Sequence, residues 1–183
     1  MLAYVFFHRA APGVETPAYE TALRRFHSSL AGAPPPGFIG SSTYRVGGGY
    51  ADWYLVDGSA ALDVLNEAAV NAARSPSHDA VAHMSSDGAG KLLTLVGRAS
   101  AARTSNSGAG PPEAGFEIRF SKPAGMGYKD LYARLKPWTD QAELTLWRRM
   151  MVLGPPPEFC LLVPSEIQLP AEMRAEIFRR EPL

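Results

Sequence analysis

The sequence lacks the features that mark several large classes of protein. Cys160 is the single cysteine among 183 residues, so no disulfide can form within the chain. Basic and acidic residues number 18 each and balance in both halves, so the basic excess typical of nucleic-acid-binding proteins is missing. No run of apolar residues approaches the length of about 18 residues that a membrane-spanning helix needs. The sequence therefore predicts a globular protein that binds neither nucleic acid nor membrane.

Signals for targeting and for common chemistries are also scarce. The apolar start Met1–Phe7 has no basic segment before it and no small-residue cleavage site after it, which predicts a cytoplasmic protein. The Ser85–Leu92 segment contains Gly-Ala-Gly-Lys but departs from a phosphate loop, and no Gly-x-Ser-x-Gly motif occurs. His78 and His83 are five residues apart, a spacing that does not place them on one helical face, so we predict no metal site.

The first 98 residues carry an alternation of strand and helix patterns. A helix is predicted from Thr16-Pro17, which combine an N-cap with proline at the first helical position, and others from Ser59 and Ser75. Gly47-Gly48-Gly49 predicts a turn between two strands. The predicted order is βαββαβ, with strands over residues 1–7, 41–46, 52–57 and 91–97.

Residues 99–114 are small and polar without any period, which indicates a linker between a first unit, 1–98, and a second, 115–183. The second unit repeats the pattern in the order βαββα. Its predicted strands are 116–121, 143–152 and 159–163, and its predicted helices are 128–136 and 170–180. Because only three residues follow the last helix, we expect the second unit to lack its fourth strand.

The two units also align by residue. Val5–Ala10 matches Ile118–Pro123 in apolar pattern, and Trp53–Ser59 matches Phe159–Ser165. Such a tandem βαββαβ pattern resembles the dimeric α+β barrel superfamily, whose members include NIPSNAP-like, EthD-like and antibiotic-biosynthesis-monooxygenase-like proteins. The resemblance implies an α+β fold in which two ferredoxin-like repeats face each other as a pseudo-dimeric barrel. The missing strand would leave one sheet edge uncovered. The linker or another chain could cover this edge, so the sequence allows a homodimer.

The superfamily also contains chlorite dismutase-like haem proteins, which are tandem repeats. The resemblance implies that a haem would need a histidine in a helix of the second repeat. No histidine follows His83, so we predict no haem, and no other cofactor.

Alternation along the strands suggests which side chains could form a site. In the first strand Ala3, Val5 and Phe7 form an apolar set, which we expect to pack under the helices. The opposite set would line the space between the sheets, together with matching residues from other strands. These candidate site residues are Tyr4, Phe6, His8, Tyr54, Glu117, Arg119 and Trp147.

Aromatic side chains with a few ionisable groups on an enclosed face are typical of a small-molecule site. His8 would be the catalytic acid or base, and Arg119 would hold a carboxylate or enolate oxygen. The sequence thus suggests a binding protein or a cofactor-free oxygenase or proton-transfer enzyme for a small apolar or carboxylated molecule. The alternative is a non-catalytic binding or assembly protein, in which Glu117 simply pairs with Arg119 and side chains fill the space between the sheets.

Overall fold

The computed structural model describes residues 1–98, 115–140, 144–151 and 153–183, and within them it contains eight strands. The strands are β1 Leu2–Ala10, β2 Phe38–Val46, β3 Gly49–Val56, β4 Ser85–Arg98, β5 Gly115–Phe120, β6 Thr145–Arg149, β7 Phe159–Val163 and β8 Glu176–Pro182. The helices are α1 Thr16–Gly32, α2 Ala60–Val70, α3 Ser75–Met84 and α4 Tyr128–Thr139, with a short 3-10 helix at Ala171–Met173. The α+β class is confirmed.

The eight strands form one closed antiparallel barrel in the order β1-β3-β2-β8-β5-β7-β6-β4. In the first part of the chain β1 lies between β3 and β4, and in the second part β5 lies between β7 and β8. The two groups of four strands are joined by the pairs β2–β8 and β4–β6. Closure of the sheet leaves no unpaired edge strand, which is the arrangement that best prevents association through edges.

The expected absence of a fourth strand in the second unit is wrong. The segment predicted as a helix over 170–180 instead contains the short 3-10 helix, a residue in the left-handed region at Arg174 (φ 45°), and then β8. Ile177 packs outward against the α4 side of the sheet and Phe178 packs into the barrel, which is the two-residue period of a strand. β8 pairs with both β2 and β5 and so completes the barrel.

Two apolar layers cover the sheet on its outer side. Helices α1, α2 and α3 pack over the first four strands, where Phe26, Leu30 and Leu65 are buried against Tyr54 and Val56. Helix α4 packs over the second four strands with its buried Leu131 and Leu135. A third cluster fills the barrel itself and consists of inward side chains from both groups of strands.

The predicted hairpin turn forms between β2 and β3. Gly47 and Gly48 both have positive φ values, 60° and 76°, which side-chain-bearing residues rarely adopt. The predicted linker, 99–114, lies outside the described residues, as do positions 143 and 152 of the strand predicted over 143–152. The division into two domains therefore stays a prediction.

Candidate functional site

The inner and outer faces of β1 are the reverse of the sequence expectation. Ala3 and Val5 are fully buried in the cluster that fills the barrel, and Phe7 packs against the same cluster. Tyr4 and Phe6 pack on the opposite side, with the helix-covered cluster. Both sets are largely apolar and both are covered by other elements. The side chains of β1 therefore alternate as predicted, but the prediction of which set faces the helices is wrong for this strand.

In β5 the alternation runs as expected, so the candidate residues divide between two sides of the sheet. Glu117 is fully buried beside Arg119, and their Oε1 and Nε atoms are 2.6 Å apart. Both share the inward face with Trp147, which is fully buried in the barrel cluster. The other four candidates, Tyr4, Phe6, His8 and Tyr54, lie on the helix side. The structure therefore does not unite the predicted set on one face.

The barrel interior is packed with side chains. The rings of Trp53 and Trp147 meet edge to face with centroids 5.5 Å apart, and Tyr44 and Leu93 are buried beside them. Among the described residues, these four side chains occupy the part of the barrel interior in which the sequence suggested a ligand.

A buried carboxylate on the helix side is the most unusual feature of the first unit. Asp52 lies in β3 between apolar neighbours and is 2% exposed. Its Oδ1 accepts a hydrogen bond from the Thr43 hydroxyl at 2.7 Å, and its Oδ2 accepts one from the Tyr54 hydroxyl at 3.3 Å. A buried carboxylate is stable only if its lone pairs are satisfied, and these hydroxyls provide part of that satisfaction.

Two imidazoles flank the Asp52 carboxylate. The Nε2 atom of His8 is 3.2 Å from Oδ2, and the Nε2 atom of His27 is 3.4 Å from Oδ1, although neither nitrogen has hydrogen-bond geometry toward the oxygen. The Nδ1 atoms of the two rings meet hydroxyls, that of Tyr19 at 2.5 Å and that of Ser41 at 2.7 Å. Asp52 thus lies at the centre of a continuous polar network beneath α1.

The network changes the ionisation of its members. Burial by itself raises the pKa of the Asp52 carboxyl, but the neighbouring imidazoles of His27 and His8 outweigh burial and hold this pKa well below its usual range. Burial, and next the charge of Asp52, raise the pKa of the Tyr54 phenol well above its usual value. Asp52 is therefore a carboxylate and Tyr54 a neutral phenol at neutral pH.

A second polar group lies next to this network on the same face. Glu20 of α1 is buried, and its carboxylate accepts two hydrogen bonds from the Arg45 guanidinium, both at 2.6 Å, and one from the Tyr50 hydroxyl at 3.1 Å. The hydrogen bonds from Arg45 lower the pKa of Glu20 in spite of burial. Glu20 and His27 both belong to α1, and both are buried on the side of this helix that faces the sheet.

An open cleft of about 560 Å³ lies beside the network, between the sheet and helices α1 to α3. Aromatic rings form one wall, and aliphatic side chains of α2 form the other. The Tyr54 side chain links the cleft to Asp52, and its ring stacks on His27 with centroids 5.2 Å apart. The lining residues are Tyr4, Phe6, Phe26, Tyr54, Leu62, Asp63, Leu65, Asn66, Ala69, His78 and Leu92.

Three of the predicted site residues, Tyr4, Phe6 and Tyr54, border this cleft. The fourth residue on this side, His8, has a fully buried side chain that reaches Asp52 and not the cleft. Sequence reasoning missed the polar lining residues Asp63, Asn66 and His78, and it missed Asp52, on which Tyr54 is anchored. The signal for Asp52 was available, since a lone carboxylate inside the apolar strand Gly49–Val56 must have buried partners.

Haem does not fit the residues present in the second unit. All four histidines of the chain precede residue 84, and α4 carries none. The space between α4 and the sheet is filled by an apolar cluster that includes Leu131, Leu135 and Phe159. No group of three or more histidine, cysteine, aspartate or glutamate side chains suited to a metal ion occurs among the residues that the structure describes.

Comparisons with known proteins give a fold but no family. No protein-family model matches the chain, and no curated protein matches it. A solved structure described as "Putative Chlorite dismutase" is similar over the whole of this chain and 94% of its own, with a TM-score of 0.61 and 13% sequence identity. This likeness shows a shared fold.

Within the described ranges, no helix combines the length and the apolar character that crossing a membrane requires.

Proposed function

We propose that the protein binds a small, mainly apolar molecule in the cleft between the sheet and helices α1 to α3. The observation that supports this proposal best is the combination of an aromatic-walled space of about 560 Å³ with one hydroxyl, that of Tyr54, anchored on a buried carboxylate. Small-molecule sites are mostly apolar clefts of this size with a few fixed polar groups. The proposal moves the expected site from the space between the sheets to the outer side of the first four strands.

The polar groups of the cleft define the kind of molecule that would fit. The Tyr54 hydroxyl already donates its proton to Asp52, so its oxygen is left to accept a hydrogen bond from a ligand N–H or O–H group. Asp63 and Asn66 of α2 line the cleft and can accept further hydrogen bonds. The ligand class is therefore an apolar or aromatic molecule that carries a hydroxyl or amine.

Proton transfer on the bound molecule is a second candidate function, and His78 favours it. This imidazole lines the cleft, and its Nδ1 atom lies 3.1 Å from Oδ1 of Asp79, which in turn accepts a hydrogen bond from Ser75. A carboxylate that orients an imidazole is a common arrangement for general acid–base catalysis. The predicted catalytic role of His8 stays a prediction, because its imidazole would act only through Asp52 and Tyr54.

The experiment is a titration with the neutral fluorescent probe N-phenyl-1-naphthylamine, whose emission rises when it enters an apolar site. Ala69→Trp places a large side chain in the cleft, and we expect it to weaken probe binding at least about tenfold. The matched control is Val70→Trp on the next residue of α2, which is 50% exposed and does not line the cleft. Equal probe affinity in Ala69→Trp and Val70→Trp would contradict the proposal.

The same titration separates binding from proton transfer. His78→Gln nearly keeps the size of the side chain but removes the acid–base group, so it should leave probe affinity nearly unchanged. Exchange of an acidic C–H proton of a bound molecule with deuterated water, followed by NMR, should slow in this variant if the second candidate is correct. An unchanged exchange rate would contradict proton transfer at His78, and binding would remain as the proposed function of the cleft.

Three finer features of the superfamily resemblance are part of the proposal. The strand orders β4-β1-β3-β2 and β8-β5-β7-β6 support a tandem pair of ferredoxin-like repeats, since each unit places its first and third strands at the centre. Self-association into a homodimer stays a proposal, although not through the sheet edge that the sequence left uncovered, since β8 closes the barrel. A cytoplasmic location is proposed from the sequence alone. Size-exclusion chromatography with light scattering measures the first of these two directly.

A further inference from the structure

The cleft between the sheet and helices α1 to α3 has a lining that combines aromatic rings with an acidic group. Its four phenyl and phenol rings, called the cleft rings below, belong to Tyr4, Phe6, Phe26 and Tyr54. Asp63 is the one carboxylate of the lining, which contains neither lysine nor arginine. Asp63 is exposed and has no ion-pair or hydrogen-bond partner among the described residues. The lining is therefore suited to a ligand of positive charge.

Two of the cleft rings lie across the neighbouring strand β4. A Cβ atom on Gly90 would lie 2.5 Å from the Tyr4 hydroxyl oxygen, and one on Gly88 would lie 2.6 Å from Cζ of Phe6. The Gly-Ala-Gly segment of β4 thus makes room for both rings against the sheet. A ring that lies across a sheet presents its face to whatever packs above it, and the face of an aromatic ring carries the partial negative charge.

Elsewhere in the molecule, aromatic rings of this kind are covered by cations of the chain itself. The guanidinium of Arg119 lies over Phe7 with its Cζ 4.4 Å from the ring centre, and that of Arg180 lies over Tyr44. In the described part of the chain, no lysine or arginine lies over any of the four cleft rings. A cation from outside the chain can therefore take this place.

The nearby charges leave the cleft suited to a cation. Tyr54 donates its proton to the buried Asp52 carboxylate, which increases the negative charge on the phenol oxygen that a ligand N–H group would meet. The guanidinium of Arg74 donates to the carbonyls of Ala33 and Ala68 at the ends of α1 and α2, and Arg74 does not line the cleft. Its charge is thus directed to the ends of the two helices.

We propose that the molecule bound in this cleft is a protonated amine with an apolar or aromatic body. This inference rests on the proposed binding function and specifies its ligand class. The ammonium group would lie between the cleft rings and Asp63, where cation–π attraction and a charge pair act together. The body of the ligand would lie against the aliphatic side chains of α2, among them Leu62 and Leu65.

The test compares three molecules of nearly the same size and shape: 2-phenylethylamine, the neutral 2-phenylethanol and the anion phenylacetate. Their affinities for the full chain are measured by NMR titration at pH 8 and low ionic strength, where the amine is protonated and free imidazole is largely neutral. Displacement of N-phenyl-1-naphthylamine shows whether each occupies the cleft. We expect the amine to bind about tenfold more tightly than the alcohol, and phenylacetate to bind most weakly.

Two substitutions of Asp63 assign the preference to this cleft. Asp63→Asn keeps the shape of the side chain and should reduce the ratio of amine to alcohol affinity about threefold to fivefold. Asp63→Lys should weaken the amine and strengthen phenylacetate, each several-fold. The matched control is Glu67→Gln, which removes an exposed charge one turn further along α2 and outside the lining, and it should leave the ratio unchanged.

The outcomes separate this inference from the function on which it rests. If the alcohol displaces the probe as well as the amine does, the ligand class is wrong and the binding function stands. Tighter binding of phenylacetate than of the amine to the wild-type chain would also overturn the inference, as would equal ratios in wild type and Asp63→Asn. If none of the three molecules binds and the probe does not distinguish Ala69→Trp from Val70→Trp, both proposals fail.

Discussion

Replacement of Asp52 by asparagine tests whether the buried network holds the first unit together. The asparagine has nearly the same shape, but it removes the charge that faces two imidazoles and presents an amide group to hydroxyls that now donate to Asp52. Loss of one partner from a buried ionic group costs about 3–5 kcal/mol, and a hydrogen bond to a charged group is worth about 1.5–3 kcal/mol. Since the imidazoles lack ideal geometry, we expect a loss of about 3 kcal/mol.

A loss of that size is easily measured in a chain of this length. It corresponds to a fall in melting temperature of roughly 6–12 °C, and to a lower midpoint in urea without a change in slope. Glu67→Gln, on the exposed side of α2, is the control and should change the free energy of unfolding by less than about 0.5 kcal/mol. An Asp52→Asn variant as stable as the control would refute the reasoning, because the network would then contribute nothing net.

The pH dependence gives the same prediction a sign. The pKa of Asp52 is held below its usual range in the folded chain, so the folded state keeps the carboxylate charged to lower pH than the unfolded state does. The stabilisation is therefore fully present above the unfolded pKa of about 3.9 and is lost as the pH falls through the folded value. The difference in unfolding free energy between wild type and Asp52→Asn should shrink below about pH 4. A difference that grows on acidification would contradict this assignment.

Two further predictions concern the barrel itself. Gly49→Ala should lower the free energy of unfolding in urea by about 1–3 kcal/mol, because its new Cβ would lie 2.7 Å from the His8 carbonyl oxygen. The control is Gly40→Ala, whose Cβ would meet open space, and it should cost much less. Similar values for the two variants would contradict the close approach of β1 and β3. Burial lowers the pKa of Lys91 to about 8, whereas its pKa in the unfolded chain is about 10.4. Below about pH 8 the buried charge therefore destabilises the folded state, and this cost disappears as the pH rises toward about 10.4. Lys91→Met should therefore raise the melting temperature at pH 7 in anion-free buffer, and less at pH 10; a lower melting temperature at pH 7 would show that the hydrogen bond to Pro157 outweighs the charge.

Most of the strands and helices could be predicted because each has a local signal. Thr16-Pro17 marks the start of α1, and the glycines after Val46 mark the hairpin between β2 and β3. The end of the chain was predicted wrongly because Met173 and Ile177 are four residues apart, a spacing that fits one face of a helix. In the structure Arg174 interrupts that pattern, and pairing with β2 and β5 determines the conformation of the last segment.

The direction of the strand faces could not be predicted from alternation alone. Alternation separates Ala3, Val5 and Phe7 from the intervening residues, but both sets are covered in this fold, one by the opposite wall of the barrel and one by helices. The expectation that polar residues face the interior held for Glu117 and failed for His8. Each of these residues faces the side on which another element supplies its partner: α1 and β3 for His8, β8 for Glu117.

The candidate site depends on contacts that no local pattern encodes. His27 belongs to α1 by every sequence criterion, and only the way in which α1 crosses the sheet places its ring 3.4 Å from Asp52, which lies 25 residues later. In the same way Arg180 reaches the barrel interior only because the last segment is a strand that closes the sheet. The chain thus buries ionic groups on both faces of one sheet, and the position of each is set by the element that covers it. For that reason the lone carboxylate in an apolar strand indicates the buried network of this protein better than any motif of its sequence does.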